Sequence, residues 1–186
     1  MSSALKRNVE QLRSLLTQVE TLDSAVKVAA ERLASALVRG NKLLACGNGG
    51  GAADACHLTT EFVCRFNRDR RPYPALSLAV HGGDLTAIGN DYDFKDVFAR
   101  QVEAFGKTGD VLMAFTTSGN SENVRRALVA AKNLQLLTVS FLGKDGGACR
   151  GIADIEMLVD SRNTARIQEA HKLLLHTICE MVENSL

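Results

Sequence analysis

His57 and Glu61 stand four residues apart in a stretch, about 51–66, whose pattern reads as helix. At about 100° per residue they differ by about 40° around a helix axis, so an imidazole nitrogen and a carboxylate oxygen can converge on one ion. Both atoms suit zinc. Just upstream, Gly47-Asn48-Gly49-Gly50-Gly51-Ala52 follows an apolar run and leads into that helix. Glycines there let the backbone turn tightly, and the helix start offers unpaired N–H donors to an anion. A second loop, Thr116-Thr117-Ser118-Gly119-Asn120-Ser121-Glu122-Asn123, has the same setting between an apolar run and a helix. Thr116, Thr117, Ser118 and Ser121 place four hydroxyls within six residues, each able to donate to a phosphate oxygen. A helix N-cap would need only one of them.

Two other phosphate chemistries fit less well. The first loop matches the relaxed dinucleotide fingerprint G-x-G-x-x-A, which calls for an acidic residue at the end of the second strand, about 20 residues on. Here that strand begins near residue 75 and runs into His81-Gly82-Gly83, with Asp84 already past the turn. The hydroxyl loop holds no lysine and no GxxxxGK[ST], which argues against a nucleotide triphosphatase. The five cysteines (Cys46, Cys56, Cys64, Cys149, Cys179) form no CxxC pair and read as apolar thiols rather than a disulfide framework or thiolate zinc site.

The elements that must position these residues follow from periodicity. KLLAC (42–46), ALSLAV (75–80), VLMAF (111–115), LLTVSF (136–141) and IEMLV (155–159) read as buried strands. Helical patterns lie between and after them at about 51–66, 84–105, 121–134 and 165–183. Strands alternating with helices indicate parallel pairing with helices on both faces. The fold class is therefore α/β, and ligands in such folds bind where loops leave the carboxyl ends of the strands. The first 38 residues carry apolar positions at three- and four-residue steps, with Thr21 or Asp23 able to open a second helix and Gly40 to end the stretch. This arm, 1–40, precedes an α/β core over 41–186, and the whole chain reads as one domain. A helical stretch so long needs a surface to pack on, and a partner subunit is a reasonable one.

Composition bounds the partners. The 186 residues are 46% hydrophobic and 23% charged, with 22 Lys plus Arg against 21 Asp plus Glu. A net charge of +1 gives no electrostatic reason to expect nucleic acid or an anionic membrane. No apolar run approaches the roughly 20 residues of a spanning helix, and MSSALKRNVEQ has no apolar signal core. The expectation is a soluble, cytoplasmic protein.

Four segments together, CGNGG (46–50), AIGNDYDF (87–94), TTSGNS (116–121) and TARIQEAH (164–171), resemble the phosphoheptose isomerase family of the sugar isomerase (SIS) fold group. The resemblance covers nearly the whole chain, arm included. It implies a three-layer fold on a five-stranded parallel sheet and conversion of sedoheptulose 7-phosphate to D-glycero-D-manno-heptose 7-phosphate in bacterial heptose synthesis. It also implies a homotetramer with active sites between subunits, and one zinc ion per subunit. By position, Asn48, Gly49 and Gly50 match the first substrate loop, Asn90 and Asp91 the sugar-contacting pair, and Thr116, Thr117, Ser118 and Ser121 the phosphate loop. Gln168 and His176 match the other half of the metal set begun by His57 and Glu61, and Glu61 and Gln168 also face substrate. Glu61 and His176 match the catalytic acid/base pair. Eight residues along one helix is about 12 Å of rise, so Gln168 and His176 of one chain do not easily share an ion. Two subunits, or a helix beginning after Gln168, would resolve this. His171, the competing imidazole, is read as structural, and Arg65, one turn past Glu61, either balances charge or is a solvated surface residue.

Two departures bear on substrate identity. Family members usually read GNGGS, where this chain has Gly51, and the segment Val80-His81-Gly82-Gly83-Asp84 differs from the usual hydroxyl- and Asp-containing one. His81 there is either an extra acid/base or ligand residue, or a loop histidine without such a role. Two alternatives stay open beside the main reading: an isomerase of another phosphosugar, and a non-catalytic protein-binding factor of the same fold, of the replication-initiation cofactor type.

Overall fold

A computed structural model describes residues 3–186. The order is α1 (Ala4–Glu20), α2 (Asp23–Val38), β1 (Leu43–Gly47), α3 (Gly50–Val63), β2 (Ala75–Ser77), α4 (Gly82–Asp91), α5 (Ala99–Phe105), β3 (Val111–Thr116), α6 (Glu122–Asn133), β4 (Leu137–Gly143), β5 (Ile155–Val159) and α7 (Thr164–Ser185). All five strands are parallel, in the order β2-β1-β3-β4-β5. Alternate residues of each strand face opposite layers. Leu43, Ala45, Val111, Met113, Phe115, Val139 and Phe141 pack against α1, α2, α3 and α7. Leu44, Cys46, Leu112, Ala114 and Leu142 pack against α5 and α6 on the other face. Cover on both faces explains why β1 and β3 read as unbroken apolar runs.

The arm is two helices, broken at Thr21–Leu22, and α1 opens on Ser3, whose hydroxyl accepts from the Lys6 N–H. It finds its surface within its own chain: Leu15, Val19, Val26, Leu33 and Leu37 join the core that α7 completes. The need for packing did not require a partner, although Leu5 and Val9 of α1 stay exposed.

Two element boundaries differ from expectation. The second strand ends at Ser77 rather than at residue 80. It is one edge of the sheet; the Leu78 N–H still donates to the Ala45 carbonyl of β1 at 2.8 Å and its side chain stays buried, so the apolar run outlasts the strand. The continuous helix expected over 84–105 is three pieces, with a 3-10 turn at Phe94–Asp96 between α4 and α5. Asp93 starts that turn by accepting the Lys95 N–H in its side chain.

Candidate active site

The chain order reverses between β1 and β3: β1 is followed by β2 on one side, and the later strands lie on the other. A crevice outside the carboxyl ends of the strands forms at such a switch point. The loops after β1 and β3 flank it, and both are the loops singled out by composition. Gly49, at φ +54°, takes a conformation that side-chain-bearing residues rarely adopt, and it turns the chain into α3. Asn48 donates to Asn123 Oδ1 at 2.8 Å and accepts from Asn123 Nδ2 at 2.9 Å, so the two loops are tied together. In the second loop Thr116 Oγ1 lies 3.1 Å from Ser121 Oγ and 3.4 Å from Ser118 Oγ, and it accepts the Gly119 N–H. Thr117 is half-buried beside them. These short-range bonds hold the Thr116, Ser118 and Ser121 hydroxyl oxygens in one cluster at the mouth of α6.

From the first loop, α3 runs alongside α7. At its start a Cβ on Gly50 would collide with the Gln168 amide, so that amide lies directly over the loop. One turn on, buried Asp54 pairs with Lys172 Nζ at 2.7 Å. Lys172 Nζ also lies 3.0 Å from His57 Nδ1. His57 Nε2 faces Glu61 Oε1 at 2.7 Å and His176 Nε2 at 3.5 Å. The ligand atoms of His57, Glu61 and His176 all lie within 4.8 Å of one another. Two imidazole nitrogens and a carboxylate oxygen so grouped form a donor set that suits zinc. The Phe66 ring, 5.8 Å from that of His176, forms one apolar wall. Burial, followed by the charges of His57 and Lys172, pulls the His176 pKa below the ordinary imidazole value.

The structure thus brings His57, Glu61 and His176 together, and it sets Gln168 two turns earlier on α7, against Gly50. Helix α7 begins at Thr164, so a start after Gln168 does not bring the pair closer. Asn90 and Asp91 are exposed at the end of α4, where Asn90 donates to the Asp91 carboxylate at 2.8 Å. His171 is buried against Phe115 and Phe141 with Nε2 3.1 Å from the Leu142 carbonyl, and burial lowers its pKa. Arg65 is exposed and donates to the Asn67 carbonyl, and His81 is exposed ahead of α4. All five cysteines are free; burial pushes the Cys149 thiol to about 11 and that of Cys179 to about 12.

Several positioning residues carried no local signal. Glu183, near the end of α7, accepts the N–H groups of Phe66, Asn67 and Arg68 at 3.2, 2.9 and 3.0 Å. Arg70, 3.4 Å from Glu183, donates to the Glu61 and Phe62 carbonyls that end α3. Lys172, Asp54 and Asn123 likewise act through partners distant in sequence. Gly51, where a serine is usual, is buried, and a Cβ there would lie 3.0 Å from the Phe115 carbonyl oxygen and 3.1 Å from Phe115 Cβ. Its bareness lets α3 sit close on β3.

Residues 8–143 match the SIS domain family. A phosphoheptose isomerase of Clostridium acetobutylicum is 43% identical over 189 residues, spanning 100% of this chain and 94% of its own. The chain belongs to the phosphoheptose isomerase family. Solved structures agree: the phosphoheptose isomerase of Neisseria gonorrhoeae superposes with a TM-score of 0.91 at 37% identity, over 97% of each chain. That of Francisella tularensis gives 0.89 at 37% identity, over 99% of this chain and 100% of its own. The three-layer SIS-type fold and an isomerase activity on a sugar phosphate follow for this family member. The non-catalytic, partner-binding alternative loses its ground.

Proposed function

We propose that His57, Glu61 and His176 form the reaction centre of this phosphoheptose isomerase, with the loops at 48–50 and 116–121 as its substrate and phosphate anchors. The enzyme interconverts the ketose sedoheptulose 7-phosphate and the aldose D-glycero-D-manno-heptose 7-phosphate. The observation that carries the reading is the grouping of the three side chains within 4.8 Å, along the helix that starts at the first loop. From Gly50 to His57 is about 10 Å along α3, comparable to an extended seven-carbon chain with its terminal phosphate.

In the forward direction a proton leaves C1 of the open-chain ketose, a cis-enediol forms, and a proton returns at C2. A second proton passes from the C1 oxygen to the C2 oxygen. Glu61, a carboxylate largely shielded from water, and His176, kept neutral by its surroundings, are the pair that exchanges these protons. Thr116, Thr117, Ser118 and Ser121 hold the phosphate together with N–H groups at the start of α6. Asn48, Gly49, Gly50 and Gln168 line the sugar path. Zinc held by His57, Glu61 and His176, with Gln168 of the same or another subunit as a further ligand, would supply Lewis-acid polarisation of the carbonyl and stabilise enediolate charge.

The chain works as a single phosphosugar-binding unit over 1–186 and as a homotetramer in the cytoplasm. A cleft of about 270 Å³ between α1, α2 and α7, with exposed Leu173 on its rim, supports self-association, as do exposed Leu5 and Val9. No helix among the described residues is long and apolar enough to cross a membrane. The test is turnover of sedoheptulose 7-phosphate followed by NMR, with chelator and with added zinc. Glu61→Gln and His176→Ala should each abolish turnover while leaving a folded oligomer that still binds sugar phosphate; wild-type turnover in either would remove that residue from the acid/base pair. Failure of the wild type on this substrate, with turnover of another phosphosugar, would assign the Gly51 and His81 departures to a change of substrate.

A further inference from the structure

Lys172 stands where a metal-binding histidine ordinarily has an acceptor. A histidine that ligates through Nε2 carries its ring proton on Nδ1 and usually donates it to a carboxylate, carbonyl or water. His57 Nδ1 instead faces the Lys172 ammonium at 3.0 Å, a group with three donors and no acceptor. In that contact Nδ1 must accept. The ring proton then sits on Nε2 and is directed at Glu61 Oε1, 2.7 Å away. Lys172 is held in place by Asp54, whose side chain is only 7% exposed and whose oxygen lies 2.7 Å from Nζ. The arrangement is a relay of fixed donors: Lys172 to Asp54 and His57, and His57 to Glu61. To hold an ion through Nε2, His57 would have to turn a second donor toward the ammonium.

We propose that Lys172 is a positioning residue that sets His57 in its Nε2–H form and thereby weakens the grip of His57, Glu61 and His176 on a divalent cation. This rests on the reading of those three residues as a metal centre. It deepens that reading by assigning the site a built-in competitor: His57 serves either as a hydrogen-bond donor that holds Glu61 or as a ligand, and Lys172 biases the choice toward the donor.

The measurement is zinc affinity by titration calorimetry on the full-length, chelator-stripped protein. Lys172→Gln replaces the ammonium with an amide that can accept from Nδ1–H and donate to Asp54, and the zinc Kd should fall about 10-fold, the size typical of an outer-shell change. Lys172→Arg retains charge and donors and should leave affinity within about 3-fold of the wild type. The double variant Asp54→Asn with Lys172→Leu removes the ammonium without stranding a buried carboxylate, and it should tighten binding as Lys172→Gln does. Unchanged or weaker binding in both neutral variants overturns the proposal, as does equal tightening by Lys172→Arg. His57→Ala separates the two ideas: zinc affinity that this variant leaves untouched means the ion is not held at this centre, which overturns the metal reading itself.

Discussion

Asn48 and Asn123 exchange amide hydrogen bonds in both directions, at 2.8 and 2.9 Å, across the point where the strand order reverses. Each residue belongs to a different anchoring loop. Asn123 Oδ1 also accepts the N–H of Val124 and so fixes the first turn of α6. The pair works as a strut: it sets the spacing between the glycine loop and the hydroxyl loop before any substrate arrives. Asn48, expected to contact substrate, spends one donor and its acceptor on this strut and keeps one N–H to offer.

Removing the strut should loosen binding more than it slows chemistry. Asn123→Ala leaves the Asn48 amide and the Val124 N–H without their partner, a cost of about 1–3 kcal/mol. Steady-state kinetics should show KM for the sugar phosphate raised about 10-fold with kcat changed far less, the mark of lost ground-state binding. A kcat loss at constant KM would show that Asn123 serves the chemical step.

Acid should reveal the role of Glu183. Burial alone would raise its pKa, but the N–H groups of Asn67, Arg68 and Phe66 and the charge of Arg70 outweigh burial and hold it below the usual carboxylate range. A folded pKa lower than the unfolded one gives stability that is full above the unfolded value, about 4.3, and is lost as pH falls through the folded value. Urea midpoints of wild type and Glu183→Gln should therefore differ by a constant amount from neutrality to about pH 5 and converge below about pH 4. A gap that persists at low pH would mean the carboxylate charge is not what holds the loop.

Serine at position 51 should not be neutral. Its Cβ would press on the Phe115 backbone, which cannot swing aside as a side-chain tip can. Overpacking of this kind costs about 1–3 kcal/mol and outweighs the helix-propensity gain over glycine, which is below about 1 kcal/mol. Gly51→Ser should lower the Tm by about 2–4 °C per net kcal/mol. An unchanged or higher Tm would show that α3 can back away from β3 without penalty.

Mixed oligomers test where Asn90 and Asp91 act. Both are exposed at the end of α4, and the expected outcome is that they serve a site on a neighbouring subunit. Asp91→Ala and His176→Ala should each be inactive alone. Co-expressed, they should recover about a quarter of wild-type activity, since random assembly pairs two intact contributions at that frequency. No recovery in a mixed oligomer of confirmed composition would place Asp91 and His176 in one subunit's site.

Legibility followed sequence distance. The strands announced themselves as short apolar runs, with β1 and β3 nearly unbroken because helices cover both faces, and the 155–159 strand matches to the residue. The strand β2 was legible in its start at Ala75 but not in its end at Ser77, because Leu76 and Leu78 are apolar for packing whether or not the ladder continues. His57 and Glu61 were readable as a pair from a four-residue spacing, and the hydroxyl loop from its composition. His176 came only through family resemblance, since nothing local marks it. Lys172, Glu183 and Asn123 were silent for the same reason: each acts on a partner 75 to 117 positions away, and no periodicity encodes such a meeting.

That separation has a consequence for the chain's birth. The bonds joining α3 to α7 span 115 residues between His57 and Lys172 and 119 between His57 and His176, and the Glu183 cradle spans 115 to 117. Chains emerge N-terminus first. The arm, the glycine loop and the hydroxyl loop are all made before α7, and α3 has none of these partners until that 22-residue helix has emerged and docked. A nascent chain can therefore form both loops early, but its His57 and Glu61 meet His176 only after α7 has been made.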